Sequence, residues 1–196
     1  AGDRGASYVR GKLVAGAGVA LKLSPMATGG RANALHEEYV LAGPGATAEG
    51  VGLELGAGDS RIHHLISLIN DGERTKSTVK LMAVSRDDAW VVQRALGRIT
   101  KRGRWSESVV EGVAYIASKT AAAVTQPTLY IETGDVSGSR HSAADASLDE
   151  ERAFYLRARG ISEDELPTLV TLSLIDQYLS SIAEKLVDIV KQYIKI

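Results

Sequence analysis

The chain has 196 residues, with 23 Lys and Arg against 24 Asp and Glu, a formal net charge of -1. Hydrophobic residues make up 44% and charged residues 24%, as in ordinary globular domains, which excludes global disorder; no run approaches the ~18 apolar residues of a membrane-spanning helix. The near-neutral charge, the 5% aromatic content and the absence of cysteine argue against a general nucleic-acid binder and exclude disulfides, thiol catalysis and thiolate metal sites within the chain.

The chain opens Ala1-Gly2-Asp3 without methionine and without a visible secretory signal, and reads as a fragment or trimmed form. Asn and Met occur twice each, a mild thermophile-like scarcity of labile residues. Residues 1–146 are rich in Gly, Ala and Val and run in short apolar stretches. Val19, Leu21 and Leu23 share one parity; Val51, Leu53 and Leu55 repeat it, as do Leu129 and Ile131. Period two places such residues on one face of a strand. Gly43-Pro44-Gly45, Gly56-Ala57-Gly58-Asp59, Asn70-Asp71-Gly72, Arg86-Asp87-Asp88 and Lys101-Arg102-Gly103-Arg104 punctuate the stretches as turns, 13 to 16 residues apart.

That interval fits one strand plus one corner, repeated. Two-residue hairpin signals are missing, and Gly and Ala dominate the corners, where backbones stack closely. These features favour a parallel β-helix over a sandwich of hairpins. The continuous run Leu65-Ile66-Ser67-Leu68-Ile69 suits a strand buried on both faces. Residues 105–124 carry both helical spacing and β-branched valines with Gly112, and are expected to contain strand.

Residues 147–196 form the second texture, a C-terminal helical domain. Ser147 to Glu150 spells a capping box, and Gly160 supplies a left-handed helix end after Arg157 and Arg159. Ser162 to Glu165 spells a second capping box, with Pro167 early in the next helix. Leu172, Ile175, Leu179, Ile182, Leu186, Ile189, Tyr193 and Ile196 alternate steps of three and four, predicting one long helix with a single seam. That seam must be covered, by the β-helix or by another chain.

The stretch from Leu148 to Glu165 (LDEERAFYLRARGISEDE), with Pro127 to Glu132 and His141 to Ala144 before it, resembles the C-terminal part of the SufB/SufD family. Looser matches at Arg74 to Ser77, Asp87 to Ala89 and Gly97 to Ile99 extend the resemblance over roughly residues 35–180. It implies a right-handed parallel β-helix followed by a small helical domain. It also implies a non-catalytic subunit of an iron–sulfur cluster assembly complex, partnered by the SufC-type ABC ATPase and by another SufB/SufD subunit, in the cytoplasm and without nucleic acid or membrane. No cofactor is expected to be held stably; a nascent cluster would sit transiently at a subunit interface.

By the same resemblance His141 is the metal or cluster candidate, and Phe154, Tyr155, Arg157, Arg159 and Ile161 are the ATPase-docking candidates. The family's cysteine before that histidine is Ser139 here, the SufB-type glutamate after it is Ser142, and the SufB-type cysteine falls near Ala121. Thiolate scaffold chemistry is therefore missing, which favours a SufD-like accessory role, or a divergent paralogue whose partner supplies the sulfur ligands, or a degenerate member with structural work only. His63 and His64, adjacent on a strand, point to opposite faces and cannot share one ion. His36 with Glu37 and Glu38 is read as surface, and Asp87-Asp88 as a turn rather than an acid/base pair. There is no P-loop and no Gly-x-Ser-x-Gly elbow, so any ATP is hydrolysed by a partner. The alternatives are a structural self-associating module held by the heptads and a polysaccharide-active β-helix enzyme.

Overall fold

In the computed structural model, which describes residues 5–147 and 149–194, the chain winds as a parallel β-helix of five coils. Sheet A holds β1 (Ala6–Ala15), β4 (Ala32–Leu41), β6 (Arg61–Asn70), β8 (Trp90–Ile99) and β10 (Ala122–Ile131). Sheet B holds β2 (Ala20–Leu23), β3 (Met26–Thr28), β5 (Thr47–Gly56), β7 (Lys76–Ser85), β9 (Ser106–Ile116) and β11 (Val136–Asp145). All pairings are parallel, and Ala32, Arg61, Trp90 and Ala122 stack in one column. Each coil thus spends two of the corners read in the sequence. Residues 105–124 contribute β9 and the start of β10, because Val109, Val110 and Val113 find a pleated ladder on both sides.

The corners repeat one hydrogen bond. The N–H of Gly18 donates to Pro44 C=O, Gly45 to Glu73, Arg74 to Arg104 and Trp105 to Asp135, at 2.6 to 3.0 Å. Gly18, Gly45, Arg74 and Trp105 all lie in the left-handed region, with φ between 54° and 69°. Glycine takes that conformation freely; Arg74 and Trp105 are held in it by the ladder, with the Arg74 guanidinium 5.0 Å from the centre of the Trp105 ring. Close stacking is real at Gly72, where a Cβ would lie 2.7 Å from the backbone of Gly43.

Inside the coils, Leu41, Ala48, Ile66, Leu68, Val79, Leu81, Ala95 and Val110 pack as one core. A polar cluster occupies one inner corner. Asn70 Nδ2 donates to Thr75 Oγ1 at 2.9 Å and to Glu107 C=O at 3.2 Å, its Oδ1 accepts from Ser77 at 2.7 Å, and Ser77 meets Ser108 at 3.0 Å.

Three helices follow, α1 (Glu150–Ala158), α2 (Leu166–Ser181) and α3 (Glu184–Lys191), with a 3-10 turn over Glu163–Glu165. The first capping box does not form. Asp149 is the cap and accepts from Arg152 N–H at 2.7 Å, while Ser147 N–H is taken by Asp145 at 2.8 Å. A carboxylate is the stronger acceptor at a helix start, and Glu150 is already the first helical residue. At the second box Glu165 accepts from both the N–H and the hydroxyl of Ser162 at 2.8 Å. Gly160 is left-handed, as expected of a helix end.

The single long helix is also corrected: α2 and α3 break at Ile182, whose backbone is extended. Ser181 Oγ donates to Tyr178 C=O at 2.7 Å, a local bond that competes with helix continuation. The buried face of α2 is Leu166, Val170, Thr171, Leu174, Ile175 and Tyr178, which shares only Ile175 with the heptad seam. Ile175 and Ile182 are buried and Leu179 half-buried, whereas Leu172, Leu186, Ile189 and Tyr193 are exposed; Ile196 and Leu148 lie outside the described residues. This face covers the outer side of sheet B, on Leu53, Leu55, Met82, Val84 and Tyr115.

Asn70→Ala removes an amide that joins Thr75, Ser77 and the Glu107 carbonyl and takes one hydrogen bond from each. We expect a loss of about 2–3 kcal/mol in urea denaturation; a loss under about 0.5 kcal/mol would show that the corner network does not hold the coils together.

Candidate functional site

His63 and His64 do point to opposite faces: His63 is exposed and His64 is buried. Neighbouring parities place Glu37 on β4, Glu54 on β5 and His64 on β6 inside the coils. His64 Nδ1 faces Glu54 Oε1 at 2.5 Å and Nε2 faces Glu37 Oε2 at 3.0 Å. Tyr39 Oη donates to Glu37 Oε1 at 2.9 Å. A ring with an acceptor at each nitrogen donates from both, which requires the imidazolium form. Glu54 is 0% exposed, and its Oε2 has no partner. Gln93, beside His64 in the ladder, gives its Nε2 to Val113 C=O at 2.9 Å and likewise leaves Oε1 unpartnered.

The electrostatics follow from this geometry. Burial alone would push the His64 pKa down; the hydrogen bonds it donates to Glu37 and Glu54 and their charges outweigh it and raise it to about 9. Burial would raise the Glu37 pKa, yet the bond and charge of His64 and the Tyr39 hydroxyl hold it below the usual carboxylate range. Burial, then the Glu37 charge, push the Tyr39 phenol well up. The sequence reading of His36, Glu37 and Glu38 as surface is corrected at Glu37, which turns inward. Among the described residues no three His, Asp or Glu side chains are disposed to hold a metal ion. Both His64 nitrogens are already engaged.

His141 stands elsewhere. It lies on β11 opposite Val110, at the inward parity of the last coil, and it is exposed because no further coil covers it. Ser139 shares that parity, opposite Ser108, and Ser142 does not. Ala121 lies in the corner just before β10, half-buried. The structure therefore does not bring His141 together with the buried triad. Phe154 and Tyr155 are 68% and 54% exposed on α1, a helix with no buried residue. Arg157 and Arg159 are exposed, with the Arg159 guanidinium 4.5 Å from the centre of the Tyr155 ring, and Ile161 is half-buried. Asp87 is a corner residue whose carboxylate accepts from Gly58 N–H at 2.8 Å, as a turn role requires. A concavity of about 640 Å³ lies on the outer face of sheet A between Tyr8 and Trp90; His63 lines it, and His141 and the α1 residues do not.

The triad was legible only in part. Glu54 sits between Leu53 and Leu55, and that alternation reads as an apolar inner face with Glu54 outside. The reverse holds, because α2 makes the outer side of β5 apolar. An isolated acid opposite a histidine at coil spacing was the available signal.

His64 titrates higher in the fold than its ordinary 6.5, so its contribution to stability is complete below about 6.5 and is lost as pH rises through about 9. Glu37 runs the other way: its contribution is present above 4.5 and lost as pH falls through its depressed value. We expect His64→Gln to cost about 3–5 kcal/mol by leaving buried Glu54 and half-buried Glu37 without their countercharge. It should also abolish the loss of stability between about pH 7 and pH 10. Urea midpoints across pH measure both, and a variant as stable as the parent would remove the triad from the account.

The comparisons with known proteins fit this architecture. Residues 3–173 match the family described as the SUF system FeS cluster assembly, SufBD core domain. An iron–sulfur cluster assembly SufBD family protein of Staphylococcus saprophyticus is 25% identical over 144 residues, 73% of this chain and 30% of that protein. A SufBD family protein of Mycobacterium bovis is 40% identical over 63 residues, 32% of this chain and 16% of that protein. The matches thus span less than a third of either relative's length. Among the described residues no helix is long and apolar enough to cross a membrane. With a parallel solenoid, a helical tail laid on one sheet and a family match over most of its length, the chain belongs to the SufBD core domain family.

Proposed function

We propose that this chain is a SufD-like, non-catalytic accessory subunit of a cytoplasmic iron–sulfur cluster assembly complex, and that it docks a SufC-type ABC ATPase through its C-terminal helices. The observation that carries the docking is α1. Its Phe154 and Tyr155 are exposed, no residue of the helix is buried, and Arg157 and Arg159 flank them. Exposed aromatic and arginine side chains are the usual anchors of a protein interface. The absence of cysteine supports the accessory role, since a partner subunit of the same family must then supply thiolates for the nascent cluster, the cargo of the assembly. His141, exposed on the last coil, is proposed to handle iron or protons where the two subunits pair.

A second reading is favoured by the exposed Leu172, Leu186 and Ile189: two copies of the chain associating through the tail. Leu172→Glu with Ile189→Glu distinguishes them. Loss of a dimer mass in solution supports self-association, and an unchanged mass with ATPase binding intact leaves docking alone.

Co-expression with the cognate ATPase tests the main reading. We expect co-purification, and Phe154→Ala with Tyr155→Ala to weaken it by at least about tenfold, as interface anchors do. Failure to co-purify under every nucleotide condition overturns the docking. We also expect His141→Ala to slow cluster formation in the complete complex without changing the urea midpoint of the chain; equal assembly rates would remove His141 from the chemistry.

A further inference from the structure

The two outer faces of the solenoid are finished differently. Sheet B carries α2, and Val187 and Val190 of α3 join the same cluster. Sheet A, on the opposite side, leaves Tyr8, Trp90, Val124 and Tyr130 exposed. Register and parity set the outward residues of its strands. Among the described residues Arg10, Lys12, Arg61, Arg94 and Arg98 are the cations of this face and Glu38 is its only acid, in a chain whose overall charge is -1. Three of the cations are answered within the chain. Lys12 Nζ lies 2.6 Å from Glu38, Arg98 lies 2.5 Å from Glu132, and Arg61 donates to the carbonyls of Asp59, Ser60 and Asp88 at 2.8 to 3.1 Å. Arg10 and Arg94 have neither an ion pair nor a hydrogen bond among the described residues.

These two arginines flank a trough. Arg10 on β1 and Arg94 on β8 end one row across the sheet, with His36 and Leu65 between them. The neighbouring row runs Tyr8, Ala34, His63, Val92. There Ala32 and Ala34 floor the concavity of about 640 Å³, and Tyr8 and Trp90 wall it. Three strand spacings separate β1 from β8, which makes the trough about 14 Å wide. A helix with its side chains is about 10–12 Å across. The alanines let a helix approach closely, the aromatic walls offer an apolar stripe its contacts, and an unpaired guanidinium stands at each flank.

We propose that the outer face of sheet A docks an acidic amphipathic helix of a different protein, its small and apolar residues on Ala32, Ala34 and Leu65 and its carboxylates toward Arg10 and Arg94. Charge selects this occupant. Sheet A paired with sheet A of a second copy sets arginine against arginine. The helices of a second copy fit no better: α1 brings Arg152 and Arg157 along with Glu150 and Glu151, and α2 and α3 spend their apolar residues on sheet B. A nucleic-acid strand would lay its phosphates over Leu65, Val92 and Leu96, which offer no donor. The face lies away from the helical tail, so this docking does not depend on the ATPase reading and leaves the tail free for it.

Fluorescence anisotropy tests it, with a labelled synthetic helix that carries Ala and Leu on one stripe and Glu on both flanks, titrated with the full chain. We expect saturable binding that Arg10→Glu with Arg94→Glu weakens by at least about tenfold. The same double variant should bind a peptide with Lys in place of every Glu, which the parent chain rejects; such a charge swap separates docking from general adhesion. Trp90→Ala should also weaken the acidic peptide, while Phe154→Ala with Tyr155→Ala leaves it unchanged. The substituted side chains are exposed, so the urea midpoints should match the parent's, and Arg94→Gln carries the same test should the double variant fail to fold. The proposal is overturned by an acidic peptide that does not bind saturably, or by binding indifferent to the arginine substitutions. Tighter binding of a labelled oligouridine than of the peptide also overturns it. So does a dimer of the parent chain that Arg10→Glu with Arg94→Glu reduces to a monomer, since the face would then belong to a second copy.

Discussion

In a parallel solenoid every coil must repeat its neighbour's backbone closely, since each N–H and C=O finds its partner one coil above or below. The corner ladder running from Gly18 through Gly45 and Arg74 to Trp105 is where this constraint is most visible. At each of these four corners a left-handed residue aims its N–H at the next coil, and the position is kept even where the residue is not glycine. Strand register, the close approach of Gly72 to Gly43 and the single column from Ala32 to Ala122 all follow once the corners are locked in phase.

The same constraint makes polar residues inside the coils consequential. A polar side chain buried between the coils has no route to water, so it is either matched or costly. The Asn70 corner is fully matched by hydroxyls and a carbonyl. The triad is matched at His64 and left short at Glu54 Oε2. A buried ion set of this kind adds little to stability beyond what well-packed apolar residues would give, but it makes the interior responsive to protons. The helical tail covers the outer side of sheet B, while α1 buries none of its own residues.

The strands and corners were readable because period two and Gly-rich turns are local properties. The β-helix followed from the corner interval together with the missing hairpin signals. The sidedness of β5 was not readable: Val51, Leu53 and Leu55 announce an apolar face, but only a helix more than a hundred residues later decides that this face is the outer one. The tail misled for a related reason. Steps of three and four fix a stripe on an unbroken helix, whereas Ser181 ends α2 and the sheet selects Val170, Leu174 and Tyr178 instead. His64 looked inert beside His63 because its two partners come from other coils, and spacing within one strand carries no trace of them. His141, by contrast, owed its place among the candidates to family resemblance alone, and its inward parity became visible only in the register of β11 against β9.

Among the described residues the strands of the first and last coils, β1 and β2 at one end and β10 and β11 at the other, each pair with a strand on one side only. A barrel fixes its strand number by closing on itself; a stacked coil has no such arithmetic. Its cross-section is set by the corners, its length by how many repeats the gene encodes, and each added repeat brings nearly the same increment of cohesion as the last. A family built on this plan can vary greatly in size while presenting the same rim geometry to whatever abuts it.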